Sequence, residues 1–554
     1  MYISGARIVI ETLIEQGCEV MFGYPGGQIM PIYDEIEKNA HRIRHILTAH
    51  EQGACHAADG YARTTGKVGV VAATSGPGAT NLVTGIANAF LDSVPMVAIT
   101  GNVPCSLIGR DSFQEVDITG VTMPITKHNF IVTDVSKLAD TIREAFKIAK
   151  SDRPGPVLVD IPKDVQTNKC DFEPTGIVQP GPLPTASDDQ LKKAAEIIAS
   201  ANRPYIYCGG GVVSGGASEE VLALAEKIDA YIGCSMMGLS AVPSSSVRNL
   251  GMHGMHGHYA SSMAQNDADL IIAVGARFSD RATGNKQKFA VNAKIIHIDI
   301  DCAELDKNIP VYLGIQSEVK NALSRLLKIL PEYKHPEWNE HVDALKAREA
   351  EIAKLGAARI PYGAIDAVAR VAGKETTIVT DVGQHQMWTV QRYPFETPKT
   401  LITSGGLGTM GFGMGAAIGS AAATGRKTVL ITGDGSFGMN LNELATAVSQ
   451  NSPLVIVIMN NGVLGMVRQW QTLFFDKNYS STTLNRKTDF VKLAEAFGAK
   501  GMRPSGEAEL EEALKEAFAA DGTVVIDYHI LNDEMVLPML PPNGSIDSMI
   551  VEIK

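Results

Sequence analysis

The sequence predicts an α/β protein of three domains, each built on a doubly wound parallel sheet. Three observations carry that prediction. Two stretches interrupt the apolar periodicity, the Pro- and Gly-rich run from Pro174 to Asp189 and the charged run from Pro331 to Lys354, and they cut the chain into thirds. Each third alternates short β-branched runs with amphipathic segments. VGVVAAT, IIAVGA and LVIVIM are the clearest, each beside Gly or Asn, as in sheets covered on both faces. Finally, Lys67 to Asn102 and Lys427 to Asn461 share one order of strand, Gly-rich turn, helix and strand. One such match is weak on its own, because βαβ units are common. Two related domains separated by a third nevertheless suit a ligand held by its two ends. The expected domains are 1–173, 190–330 and 360–554, in keeping with roughly one domain per 150 residues.

Composition narrows the function. A net charge of -12 argues against nonspecific nucleic-acid binding, which needs clustered Lys and Arg to displace counterions. No apolar run approaches the eighteen or so residues of a spanning helix, so no membrane role is expected. The opening MYISGARIVIETL has neither a basic region followed by an apolar block nor the Arg/Ser bias of a transit peptide, and a cytoplasmic location is expected. The 7 cysteines are scattered and form no CxxC pair, which points to reduced, mostly buried thiols.

The richest chemistry lies in the last third. There the strand KTVLIT ends at Gly433-Asp434-Gly435, a helix is expected from about Leu441 to Gln450, and the strand LVIVIM ends at Asn460-Asn461. A right-handed crossover brings both carboxyl ends to one sheet edge, where open α/β folds bind ligands. Asp434 and Asn461 then converge as hard oxygen ligands of the kind Mg2+ takes, with phosphate and water filling its other positions. Glycines beside them let backbone approach a phosphate, and the helix start offers free N–H groups. GDGSFG is also a formal GxGxxG, so a dinucleotide fingerprint competes. Against it, an Asp inside the turn repels a pyrophosphate unless a cation intervenes, and the second strand ends in two amides where a ribose-binding carboxylate belongs. The metal-diphosphate reading is favoured.

Gly433-Asp434-Gly435 followed by Asn460-Asn461 resembles the motif of thiamine-diphosphate enzymes. That resemblance implies that Asp434, the Asn461 side chain and the Val463 carbonyl bind Mg2+, and that Gly435 and Ser436 touch the diphosphate. In the first third, His50-Glu51-Gln52-Gly53-Ala54 resembles the family's activating glutamate, a carboxyl that shares a proton with the aminopyrimidine. Taken alone, Glu51 could simply complement the positive end of the helix it begins. By the same resemblance, Val382, Gly383, Gln384 and His385, with Gly408, Thr409 and Met410, line the rest of the cofactor. A lone Met or His is more often core filler, and only order and placement lift these. The family places pyrimidine and diphosphate on different subunits, so a homodimer or tetramer is implied.

Five further segments, YPGGQIMPIYD (24–34), GRDSFQE (109–115) with ITKHNF (125–130), GMHGMHG (251–257), RFSDRATG (277–284) and GMVRQWQ (465–471), resemble acetohydroxyacid synthase, also called acetolactate synthase. With VLPMLPPNG (536–544) the likeness covers nearly the whole chain and is closest to the biosynthetic catalytic subunit. It implies decarboxylation of pyruvate on thiamine diphosphate and transfer of the remaining two-carbon unit to a second pyruvate or to 2-ketobutyrate, in branched-chain amino-acid biosynthesis. Arg281 would pair with the acceptor carboxylate and Trp470 would floor its pocket, with Met466 beside it. Gly27 and Gln114 fall near the reacting centre; Phe113 and Lys127 fall at the entrance. Gln28 and Ser279 depart from residues common among relatives. The middle third would hold FAD in a structural role, through Arg153, His256, Gly275, Arg277, Asp299 and Glu318. Remaining alternatives are a flavin-free catabolic acetolactate synthase and a pyruvate oxidase or decarboxylase. A small regulatory subunit is a further implied partner.

Overall fold

The computed structural model describes residues 1–355 and 358–552. Its first domain runs through β1 (Tyr2–Ser4), β2 (Val20–Tyr24), β3 (Arg44–Leu47), β4 (Gly69–Ala73), β5 (Met96–Asn102), β6 (His128–Ile131), β7 (Pro156–Pro162) and β8 (Lys169–Asp171). β1 and β8 pair antiparallel and tie down the chain start, while the other strands form one parallel sheet in the order β3-β2-β4-β5-β7-β6. Every residue of β5 and β7 is buried, because helices cover both faces. The middle domain contributes β9 (Pro204–Cys208), β10 (Tyr231–Cys234), β11 (Asn249–Met252), β12 (Leu270–Val274), β13 (Lys294–Asp299) and β14 (Leu313–Gln316). The third adds β15 (Thr377–Thr380), β16 (Leu401–Ile402), β17 (Thr428–Gly433), β18 (Leu454–Asn460), β19 (Lys500–Met502) and β20 (Val524–His529).

The sheet orders are β11-β10-β9-β12-β13-β14 and β16-β15-β17-β18-β20-β19. Counted from each sheet's own first strand, the first and third domains both run 2-1-3-4-6-5. The internal likeness of the sequence is therefore a likeness of topology. The middle sheet instead runs 3-2-1-4-5-6, the order of dinucleotide-binding folds.

Two expectations are revised. The charged stretch 331–354 is mostly one helix, Pro336–Lys354, whose Trp338, Val342 and Leu345 enter the core of the middle domain. It belongs to that domain's outer layer, with its charges on the solvent face. After Gly433 the chain turns at once into a helix, Asp434–Asn440, and a second one, Glu443–Ser449, completes the crossover. An acid at the first helical position, where unpaired N–H groups gather, favours that early start.

Domains one and three meet where helix Glu51–Thr65 crosses helix Phe412–Thr424. The crossing is close because glycines face backbone: a Cβ on Gly419 would lie 1.9 Å from the Ala57 carbonyl oxygen, and one on Gly60 would lie 2.2 Å from that of Ala416. Arg63 clamps the joint, bonding Asp59 at 2.5 Å, Asp92 at 2.9 Å and the Thr403 carbonyl at 3.1 Å. Asp92 in turn accepts the N–H groups of Gly405 and Gly406 at 3.2 and 2.7 Å. The loop leading to Met410 is thus held by the first domain.

Candidate active site

In the third domain the strand order reverses between β15 and β17, and a pocket opens at their carboxyl ends. Val382, Gly383, Gln384 and His385 form one wall, Gly433 to Ser436 the floor, and Asn461 and Val463 the far side, with Met410 and Met466 above. The residues predicted from the last third for the cofactor and the metal are thus together, apart from Gly408, at φ 72°, and Thr409, which directly precede Met410.

Asp434 is buried and forms no ion pair with a Lys or Arg among the described residues. Burial pushes its carboxyl up to about 6, against the pull of backbone N–H groups that include Asn461 and Gly462. A carboxylate buried in that way calls for a cation. Among the described residues no three His, Cys, Asp or Glu side chains converge, so a metal here would have one carboxylate, neutral oxygens and its ligand's own phosphate, which is the regime of Mg2+. The Asn461 side chain donates to Gln384 Oε1 at 3.4 Å and accepts the Val463 N–H at 3.1 Å. Gly462, at φ 67°, makes the turn between them. His385 Nε2 is buried without a partner, and burial lowers the ring to about 3, so the imidazole is neutral. A Cβ on Gly435 would meet Leu464 at 2.8 Å, which keeps the floor clear.

The crevice between β2 and β4 is the first domain's equivalent. Gly27 lies exposed on the loop after β2, with open space where a Cβ would be. Glu51 begins its helix buried at 9%, accepting from Asn81 Nδ2 at 2.9 Å, while its other oxygen faces Gly78. Gln114 takes the left-handed conformation, φ 60°, packed on Gly76. Phe113 beside it is 84% exposed. Lys127 is otherwise engaged: its ammonium donates to the Ile148 and Ser151 carbonyls, both at 2.6 Å, capping helix Leu138–Lys150. No residue of the first domain lines the third domain's pocket. One chain keeps Glu51 and Asp434 in separate crevices.

At the switch point of the middle sheet, Gly209 and Gly211 press against Gly275: a Cβ on Gly209 would lie 2.0 Å from the Gly275 carbonyl oxygen. Asp299 ends β13 and His256 Nδ1 is buried without a partner. Arg277 is half-buried, and its carbonyl accepts from Asn308. Arg153 and Glu318 already have protein partners. Arg153 bonds Glu304 at 2.6 Å and Ser93 at 2.7 Å, and Glu318 caps helix Val319–Ile329. The crest of β9 and β12, with Asp299 and His256, therefore carries the fit to a nucleotide.

Arg281 and Trp470, distant in sequence, meet. The guanidinium carbon lies 5.8 Å from the indole centroid and Nη1 is 3.4 Å from Met255 Sδ. Trp470 is one helical turn beyond the pocket-lining Met466, on helix Gly465–Phe474. Phe278, just ahead of the short helix Asp280–Thr283 that carries Arg281, is fully buried at φ 49°, a strained backbone for a bulky residue.

Three residues escaped the sequence reading. Asp381 accepts the N–H groups of Val382 at 3.0 Å and Gly411 at 2.8 Å, fixing both walls of the pocket; its place at the end of the TIVT strand was the available signal. Glu443, fully buried, accepts the Ala49 N–H at 3.2 Å just ahead of Glu51. Trp388 backs the pocket and donates to the Met535 carbonyl at 3.3 Å.

Two matched switch-point crevices flanking a sheet of dinucleotide-binding order define the architecture of a thiamine-diphosphate enzyme. Residues 3–121, 191–326 and 381–528 match, in turn, the N-terminal TPP binding domain, central domain and C-terminal TPP binding domain of thiamine pyrophosphate enzymes. The chain is similar to the acetolactate synthase large subunit of Haemophilus influenzae, 43% identical over 99% of this chain and 98% of that one. The isozyme 1 large subunit of Escherichia coli is 43% identical over the same shares, and a probable large subunit from Methanocaldococcus jannaschii is 44% identical over 100% and 96%. The chain belongs to the acetolactate synthase large-subunit family of thiamine pyrophosphate enzymes.

Proposed function

We propose that this chain is a biosynthetic acetolactate synthase, which decarboxylates pyruvate and joins the remaining two-carbon unit to a second pyruvate or to 2-ketobutyrate. The observation that carries the choice of reaction is the meeting of Arg281 and Trp470 one turn from the pocket. A cation over a flat apolar wall suits a small 2-keto acid, whose carboxylate pairs with the guanidinium while its short alkyl end rests on the indole.

Thiamine diphosphate, when bound, supplies the electron sink that decarboxylation requires. Asp434, Asn461 Oδ1 and the Val463 carbonyl would hold Mg2+, and Gly435 and Ser436 would border the diphosphate. Glu51 would hold a proton against the pyrimidine ring nitrogen, with Asn81 orienting its carboxylate. Met410 would support the cofactor from above. Because Glu51 and Asp434 lie in separate crevices of one chain, a complete site takes the first from one protomer and the second from its partner. A homodimer is the smallest active unit on this reading. Gly27 and Gln114 of one protomer then approach the reacting centre, and Phe113 its entrance, at the other protomer's third domain.

FAD would be held structurally at the crest of the middle sheet, near Gly275, Arg277, Asp299 and His256, since net redox change is absent from the reaction. The relatives are called large subunits, and a small regulatory subunit is the corresponding partner here. No described helix is long and apolar enough to cross a membrane, and all 7 cysteines are unpaired, which supports work in the reducing cytoplasm.

Purified protein given pyruvate, thiamine diphosphate and Mg2+ should form acetolactate. Acetaldehyde as the main product, or acetyl phosphate with peroxide, would overturn the assignment in favour of a decarboxylase or an oxidase. A yellow protein with a flavin spectrum is expected, and a colourless one would favour the flavin-free catabolic enzyme.

A further inference from the structure

Helix Gly465–Phe474 carries Met466 and Trp470, yet its only buried side chain is an amide, Gln469, 2% exposed. Burying an amide is costly unless its donors and acceptor are all used. Here they are. Gln469 Oε1 accepts the Val536 N–H at 2.9 Å, and its Nε2 donates to the Val536 carbonyl at 3.0 Å. The same Oε1 accepts from Gln384 Nε2 at 3.1 Å, and that nitrogen also donates to the Glu534 carbonyl at 2.7 Å. Gln384 Oε1 is left to accept from Asn461 Nδ2 at 3.4 Å.

The polarity of this chain of amides has a fixed origin. A backbone N–H can only donate and a backbone carbonyl can only accept, so Val536 dictates which end of Gln469 faces it. Gln469 Oε1 and the Glu534 carbonyl together require nitrogen from Gln384. Gln384 must then offer oxygen to Asn461 Nδ2. This works with the Val463 N–H, accepted by Asn461 Oδ1 at 3.1 Å, to hold one amide orientation and leave the second lone pair of Oδ1 for a cation. Gly465 keeps the passage open, since a Cβ there would lie 2.0 Å from Gln384 Oε1 and 2.8 Å from Asn461 Nδ2.

We propose that Gln469 is a positioning residue for the metal site: it passes the polarity of backbone 534–536 through Gln384 to Asn461, so that oxygen rather than nitrogen faces the cation. The proposal rests on the reading of Asn461 as a Mg2+ ligand. It assigns a metal-binding task to a side chain that does not touch the metal, on the helix that carries the acceptor pocket.

The test titrates the full-length protein with Mg2+ at fixed thiamine diphosphate, following tryptophan fluorescence, because Trp388 lines the pocket, and acetolactate formation in parallel. Gln469→Met keeps the volume and removes the polarity. It should raise the half-saturating Mg2+ concentration about 10–100-fold, the usual cost of losing a partner behind a metal ligand. The KM for pyruvate at saturating Mg2+ should stay unchanged, with turnover largely recovered. Val536→Pro removes the N–H at the origin of the relay and should move the Mg2+ requirement the same way with Gln469 in place. The variants alter opposite ends of one contact, so a misfolded variant of one leaves the other to decide, with near-UV circular dichroism reporting the fold. Wild-type Mg2+ affinity in the folded variants, or a raised pyruvate KM with Mg2+ affinity unchanged, overturns the relay alone. A wild-type chain with no Mg2+-dependent signal overturns the metal-site reading and the relay with it.

Discussion

Glu51 and Arg281 have the most to lose by substitution. Glu51→Gln keeps the shape and the bond from Asn81 but cannot hold or release a proton at neutral pH. Turnover should fall about 10²–10⁴-fold, the range for a lost general acid or base, while calorimetry still shows thiamine diphosphate binding. Binding lost together with turnover would instead mean that Glu51 is structural. Arg281→Met retains packing on Trp470 and removes the charge. If the guanidinium meets the acceptor carboxylate, kcat/KM for pyruvate should drop about 10–100-fold, because bonds to charged groups contribute about 1.5–3 kcal/mol. Unaltered kinetics would reduce the Arg281 stack to a surface ornament. Asp434 and Asn461 were legible because each follows directly on an apolar strand, where chemistry at a sheet edge is read from order alone, whereas Glu51, at the start of the helix after β3, was legible only beside them. Asp381 follows a strand in the same way, yet its work is to hold two loops together, and only the folded chain shows which N–H groups reach it.

Among the elements, the crossing of helices Glu51–Thr65 and Phe412–Thr424 has the least slack. Gly419→Ala puts a methyl 1.9 Å from the Ala57 carbonyl, and neither helix backbone can yield cheaply. Overpacking of this kind costs about 1–3 kcal/mol, so the urea midpoint should fall, and cofactor affinity with it, because the same joint holds the loop before Met410. An unchanged midpoint would show that the crossing can shift. The sheets were readable from their apolar runs, since parallel strands buried on both faces need little besides β-branched residues. Helix Pro336–Lys354 was not. Its buried Trp338, Val342 and Leu345 are diluted among charged neighbours that face solvent, and the whole run reads as a break. The meeting of Arg281 with Trp470 was equally invisible as a contact, because it depends on how the middle and third domains dock rather than on any local pattern.

Over the whole molecule, two sets of buried groups act on acid stability with opposite sign. Imidazoles lowered by burial weaken it, and the carboxyls of Asp160, raised to about 7, and of Asp381 and Asp434, raised to about 6, offset part of that loss. Burial lowers His56, His253 and His385 to about 3 and His256 to about 4, all below the unfolded value near 6.5. At these rings the unfolded chain takes protons that the folded chain refuses, so their stabilisation is fully present above about pH 6.5 and is lost as pH falls toward 3–4, at up to about 1.4 kcal/mol per pH unit for each ring. Denaturation midpoints of the cofactor-free protein should fall from pH 7 to 5, and His253→Phe, placed in the ring cluster of Tyr205 and Tyr207, should flatten that slope. An equal slope in the variant would put the sensitivity elsewhere. The separation of Glu51 and Asp434 into different crevices of one chain reaches further, into genetics. Two dead alleles, one encoding Glu51→Gln and the other Asp434→Asn, should complement each other when expressed together. In a mixed dimer one site inherits both lesions and the other inherits neither, so random pairing restores roughly a quarter of full activity. Sites contained within single chains would give no rescue at all.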